Sequence, residues 1–230
     1  MNINILHMID GAKSAKGITV VIDVFRAFTV EAYMFSMGVE KIYPVGDSEV
    51  AYEMKRENPD YILAGERHGK IMPGFDTGNS PSELSTLDLK GKTVVHTTSA
   101  GTQGIANAVN ADEILGCSLV NAKATAEYIR KANPENVSLV CMGLEAKSQT
   151  EEDNLCAYYI KSLLEGTTLD MDYEINDLKN TSGAKFFDPA QNDVFPMADF
   201  ACCTELDKFD FIMKIFDENG QSVMKAIKGE

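Results

Sequence analysis

Four groups of residues hold most of the chemistry this chain could perform, and each follows a short apolar run. In "VVIDVFRA", residues 20–27, Asp23 stands at the end of a β-branched stretch and Arg26 follows three positions on. An acid and a cation so spaced can hold a metal ion and a phosphate oxygen together, or simply cap a helix and form a structural ion pair. In "LAGERHGKIMPGFDTGNSP", residues 63–81, Glu66 and Arg67 directly follow the apolar run, with Asp76, Asn79 and Ser80 further round. Glycines at 65, 69, 74 and 78 would let backbone amides approach a ligand. A solvated glycine-rich turn is the plainer reading, but it leaves the Glu66-Arg67 pair at a strand end unexplained.

The third group, "HTTSAGTQG" at residues 96–104, supplies Thr97, Thr98 and Ser99, with Gly101 opening a helix. Hydroxyls and free amides at a helix start suit an anion. The stretch has neither the lysine of a Walker loop nor the GxGxxG of a dinucleotide site. The fourth, "CMGLEAKSQTEEDN" at residues 141–154, puts Glu151, Glu152 and Asp153 in the first turn of a long helix, where carboxylates complement the helix dipole. Asp153 reaches a ligand if the face it shares with Cys156 looks toward the site. Together these groups make up the inventory for a divalent cation and a phosphorylated substrate. Mg²⁺ takes oxygen ligands, few of them carboxylates, and shares phosphate oxygens. His7, His68 and His96 are too scattered for a zinc site, and of the three only His68 is kept as a candidate.

These residues must be positioned by the elements around them. "ITVVIDV" at 18–24 reads as a strand covered on both faces, and "RAFTVEAYMFSMG" as a helix stopped at Gly38. "KIYPV", "YILAG", "KTVVHT", "DEILGCS" and "NVSLVCMG" read as further strands. Helices are expected in "DSEVAYEMKREN", at about 101–109, in "NAKATAEYIRKAN" and over 150–165. Such alternation predicts an α/β fold, layered α/β/α with a mostly parallel sheet, whose ligands bind beyond the carboxyl ends of the strands. Residues 1–230 read as a single domain, with 166–230 less regular. "FIMKIFDENGQSVMKAI" closes the chain as a β-hairpin turning at Asn219-Gly220.

The formal charge of −14 argues against nucleic-acid and anionic-membrane partners, and would repel an anionic substrate unless cations or a metal ion were focused at the site. No run approaches a membrane span, and "MNINILHMIDG" lacks the pattern of a signal peptide, so a cytoplasmic location is expected. Five cysteines without CxxC spacing read as buried free thiols. The apolar hairpin could pack on the sheet or on a second copy in a homodimer.

"VVIDVFRA", "LAGERHGKIMPGFDTGNSP", "KTVVHTTSAGT" and the acidic helix start resemble the 2-phosphosulfolactate phosphatase family, over roughly residues 1–165. The resemblance implies an α/β fold distinct from the haloacid-dehalogenase phosphatases, and Mg²⁺-dependent hydrolysis of a phosphate monoester on a sulfonated lactate, a step in coenzyme M synthesis. Asp23-Val24-Phe25 indeed lacks the second acid of a DxD nucleophile motif. Asp23, Arg26, Glu66, Arg67, Asp76, Asn79, Thr97, Thr98, Gly101 and Asp153 occupy matching motif positions. Their roles are inferred from chemistry. Asp23 and Glu66, with Asp153, would bind Mg²⁺, and Arg26 and Arg67 would clamp oxyanions. Asn79, Ser80 and the Thr97–Gly101 turn, including Ser99, would bind substrate, and Asp76 would move a proton. Family members read Thr-Thr-Thr-Asn-Gly-Thr-Arg where this chain has Ala100 and Gln103, which leaves a non-catalytic metabolite-binding protein as the alternative. A cysteine-nucleophile hydrolase using Cys141 or Cys156 lacks an obvious activating histidine.

Overall fold

Every residue of Ile18–Ile22 is buried, as a β-branched strand covered on both faces requires. In the computed structural model, which describes residues 1–228, the chain begins with β1 (Asn2–His7), α1 (Met8–Ser14), β2 (Ile18–Ile22) and α2 (Ala27–Ser36). It continues through β3 (Lys41–Pro44), α3 (Ser48–Glu57), β4 (Ile62–Arg67) and β5 (Lys70–Ile71). A 3₁₀ turn at Pro81–Thr86 leads to β6 (Thr93–Thr97), α4 (Gly101–Asn107), β7 (Glu113–Cys117), α5 (Ala122–Ala132), β8 (Asn136–Cys141) and α6 (Glu151–Glu165). The remainder holds α7 (Met171–Asp177), short 3₁₀ turns, α8 (Met197–Thr204), β9 (Phe211–Glu218) and β10 (Gln221–Lys228). Residues 229 and 230, the last two of the expected 1–230 domain, lie outside the described residues.

Helices cover both faces of the sheet. Ile18, Val20 and Ile22 of β2 pack with Ala126 and Ile129 of α5, Ile160 of α6 and Phe200 of α8. Val21 points the other way, into a core with Phe28 and Met34 of α2 and Ile105 of α4. The period-two alternation of one strand therefore feeds two separate cores, the expected α/β/α layering. The opening strand β1 and helix α1 were not legible in the sequence. Asn2 and Asn4 are poor strand formers, and β1 is an edge strand that pairs in parallel with β8.

The sheet order is β1-β8-β2-β7-β9-β10-β3-β6-β4-β5. β1, β8, β2 and β7 are mutually parallel, and so are β3, β6 and β4. The terminal hairpin sits between these two blocks, β9 antiparallel to β7 and β10 antiparallel to β3. Three antiparallel pairings in succession make the two blocks run in opposite senses. In a flat sheet their carboxyl ends would lie at opposite rims. Five steps separate β2 from β6, and a twist of about 20–25° per step accumulates to roughly 100–125°. That rotation swings the carboxyl ends of the two blocks toward each other, and the ligand rule for parallel strands then applies to both at once.

The hairpin turns at Asn219 (φ 57°) and Gly220 (φ 82°), the two positive values a two-residue turn needs. Its apolar residues Phe211, Ile212, Met213, Val223 and Met224 are buried inside this chain, while Ile215 and Phe216 are half-buried and Ile227 is exposed. All five cysteines are free; Cys202 is half-buried and the other four are buried. Among the described residues no helix is long and apolar enough to cross a membrane.

Candidate active site

Asp23 lies just past β2, where the strand hands the chain to α2. Its Oδ1 accepts from the Ala27 amide at 3.1 Å, so it caps the helix as well as facing the cavity described below. Gly101 opens α4 directly against it. A Cβ on Gly101 would sit 3.0 Å from Asp23 Oδ2 and 2.9 Å from Ala27 Cβ, so the close approach of the two helix starts needs glycine. Burial pushes the Asp23 carboxyl up to about 7, against the pull of the Ala27 and Gly101 amides, and the Glu66 and Glu152 carboxylates push the same way.

Glu66 is near the end of β4. Its Oε1 accepts from the Ser99 amide at 2.8 Å and its Oε2 from the Gly69 amide at 2.7 Å, so it ties the loops after β6 and β4 together. Arg67 turns to structure instead of the cavity: one guanidinium nitrogen donates to the Glu66 carbonyl at 2.7 Å, the other to Thr97 Oγ1 at 3.0 Å. Thr98 and Thr102 cap α4 reciprocally, each backbone amide donating to the other's hydroxyl.

Arg26 donates to Asp199 Oδ2 at 2.5 Å and to the Gly69 carbonyl at 3.4 Å, and its guanidinium lies 4.9 Å from the centre of the Phe195 ring. Asp199, fully buried on α8, also accepts from the Ser80 hydroxyl at 2.8 Å and from Ser82. The Lys185 ammonium stands 5.2–5.5 Å from the rings of Phe25, Phe186 and Phe195. It is also the main charge offsetting the burial that raises the Glu152 carboxyl. Among the described residues, Glu152 Oε2 is buried with no hydrogen-bond partner. Its neighbour Asp153 has both oxygens committed, Oδ1 to the Val24 amide and Oδ2 to the Gly143 amide, each at 2.8 Å. Burial holds Asp153 well above the usual carboxylate range, and Glu152 and Asp23 add to it.

These side chains enclose a cavity of about 160 Å³, below the ~300–1,000 Å³ usual for drug-sized ligands and suited to a small acid. Asp23, Arg26, Glu66, Asn79 and Ser99 line it, as the sequence suggested, and Gly101 backs Asp23. Arg67, Ser80, Thr97, Thr98 and Asp153 stand behind the lining as supports. Asp76 lies outside the group: it is exposed, accepts from the Leu63 amide at 2.8 Å and pairs with Lys55 at 3.2 Å. Gln103 also points elsewhere, donating to the Gly46 carbonyl at 2.7 Å, while Ala100 does line the cavity.

Glu152, Lys185, Phe195 and the Glu145–His68 pair line it too, and sequence reasoning assigned none of them. Glu152 was visible as a first-turn acid, but a one-residue error in helix phase, about 100°, put Asp153 in its place. Lys185, Phe195 and Asp199 fall in the irregular 166–230 part, where no periodicity marks a face. Asp23, Glu66 and Glu152 are the carboxylates that could hold a metal ion, and the partnerless Glu152 oxygen is the donor most in need of one. Among the described residues no three His, Cys, Asp or Glu side chains are already arranged as a metal cluster.

The 2-phosphosulpholactate phosphatase family matches residues 4–218, and so extends through the C-terminal part that supplies Lys185 and Asp199. A probable 2-phosphosulfolactate phosphatase of Bacillus subtilis is 34% identical over 201 residues, covering 86% of each chain. One from Caldanaerobacter subterraneus is 34% identical over 215 residues, covering 85% of this chain and 86% of its own. One from Thermoplasma volcanium is 30% identical over 211 residues, covering 90% of this chain and 94% of its own. The chain belongs to the 2-phosphosulpholactate phosphatase family.

Proposed function

We propose that the cavity hydrolyses the phosphate monoester of a small sulfonated or carboxylated hydroxy acid, with 2-phosphosulfolactate the first candidate, and that Mg²⁺ is its cofactor. The observation that carries the reading is the convergence of Asp23, Glu66 and Glu152 with Arg26 and Lys185 on one small hollow. A purely anionic wall would exclude a phosphorylated acid, and Arg26 is already paired with Asp199. The donor set fits Mg²⁺, a hard cation that takes one or two carboxylates and completes its shell with water and phosphate oxygens. Held by one or two of Asp23, Glu66 and Glu152, it would supply charge neutralisation at the phosphoryl oxygens.

The chain's own groups do the rest. Arg26, fixed by Asp199 and the Phe195 ring, presents its remaining N–H donors to an oxyanion. Lys185, held among three aromatic rings, presents an ammonium to the second acid group of the substrate. Asn79 adds a neutral amide at the wall. Phosphoryl transfer asks mainly for such positioning and charge stabilisation. The proton for the leaving alkoxide comes from the cavity wall and not from Asp76, whose carboxylate is spent on Leu63 and Lys55.

A phosphate-release assay over a panel of phosphorylated hydroxy acids tests this. Turnover of 2-phosphosulfolactate with Mg²⁺, lost with chelator and kept after thiol alkylation, is the expected result. Tight binding without phosphate release would instead make the protein a metabolite-binding member of the family.

A further inference from the structure

Behind Asn79 runs a buried polar chain that the phosphatase reading does not use. His96, on β6, and Glu31, on α2, are both fully buried, and Asn79 is 6% exposed at the cavity wall. His96 Nδ1 lies 2.7 Å from Glu31 Oε1, and His96 Nε2 lies 3.2 Å from Asn79 Oδ1. Among the described residues the other carboxylate oxygen of Glu31, Oε2, is buried with no hydrogen-bond partner. Hydrophobic residues of similar volume could replace such a buried pair at little or no cost to stability. A role at the Asn79 end explains why polar groups stand there.

We propose that Glu31 and His96 are positioning residues that hold the Asn79 carboxamide with its oxygen turned inward and its NH₂ turned to the cavity as a donor to a substrate oxygen. In that orientation the amide oxygen can only accept, which puts the proton of the contact on His96 Nε2. A second proton lies between Nδ1 and Glu31, and the pair is neutral overall wherever that proton rests. No acceptor among the described residues takes the Asn79 NH₂. The donor is therefore free for a ligand, and while Nε2 carries its proton the amide cannot flip without placing an NH₂ against an N–H. This assignment rests on the phosphatase reading, which gives the donor its target.

Two measurements test it. The chain has three histidines, so ring ¹⁵N spectra of the whole protein can be assigned with one or two substitutions. A protonated His96 Nε2 is expected in the wild type, and a bare Nε2 would overturn the orientation. In turnover of 2-phosphosulfolactate, Asn79→Ala should cost about 10²-fold in kcat. His96→Asn, which cannot reach Asn79, should cost about 10-fold or more, while His96→Gln, which offers an N–H near the Nε2 position, restores most of it. In the Asn79→Ala background His96→Asn should add nothing. An equal loss in both backgrounds would make His96 a general structural residue and sink the proposal. If the His96 variants do not fold, the wild-type spectrum decides alone. A wild type that releases phosphate from no monoester would defeat the phosphatase reading while leaving the ring-nitrogen result to judge the orientation.

Discussion

Asp23 is where burial and function pull hardest against each other. With its carboxyl raised to about 7, the folded metal-free protein keeps a proton there that the unfolded chain releases near 3.8. The folded state therefore binds more protons across that window, and stability falls as pH rises through it, on the order of a few kcal/mol for this one group. Asp23→Asn should abolish turnover, yet its stability relative to the metal-free wild type should improve from pH 5 to pH 8, as read by denaturant unfolding. A difference that stays flat with pH would mean Asp23 is not the strained group. Asp76 should behave in the opposite way. Asp76→Ala removes one hydrogen bond and one exposed ion pair, so a loss of about 1 kcal/mol with kcat within about threefold is expected. A large drop in kcat would return Asp76 to the reaction.

At the scale of elements, α6 and α8 do different work with acids that look alike in sequence. Glu152 and Asp153 are adjacent in the first turn of α6, but one faces the cavity and the other satisfies two backbone amides. Glu152→Gln should cut phosphate release at least tenfold while changing stability little, because removing a desolvated carboxylate offsets the loss of its attraction to Lys185. Asp153→Ala should instead strand the Val24 and Gly143 amides, costing about 1–3 kcal/mol for each. Comparing unfolding curves and kcat for the two variants separates the roles; the same pattern for both would contradict the helix phase. On α8, Asp199 anchors Arg26. Removing one member of a buried ion pair typically costs about 3–5 kcal/mol. Asp199→Ala should lose that much stability and lower kcat/KM as well, since Arg26 is left free to turn.

For the whole molecule, the decisive feature is the position of the last two strands. β9 and β10 are not an appendage but the join between two parallel blocks of opposite sense. A chain ending at residue 208 would leave β7 and β3 unpaired on facing edges and strip Met213 and Val223 from the cores. It should fail to unfold cooperatively, as seen by near-ultraviolet circular dichroism and denaturant titration. A truncated chain with a normal transition would mean the blocks fold independently. The net charge of −14 belongs to this scale too: it makes an anion's approach depend on a few local cations, Arg26, Lys185 and the proposed Mg²⁺.

Local pattern was enough to read much of this protein. The β-branched run at 18–22, the amphipathic helices, the Asn219-Gly220 turn and the polar motifs at strand ends depend on residues near one another in the chain, so period and turn chemistry reveal them. Asp23, Arg26, Glu66 and Ser99 were legible for the same reason, each standing within a few residues of a strand end that could be located, and Asn79 was legible as part of the polar loop that follows β4. Three things were decided only by tertiary structure. Which acid of α6 faces the cavity depends on helix phase against the sheet. Lys185 and Asp199 reach the site from segments without periodicity. The convergence itself comes from strand order and accumulated twist, which no short stretch of residues encodes, because both arise from pairing between strands distant in the chain.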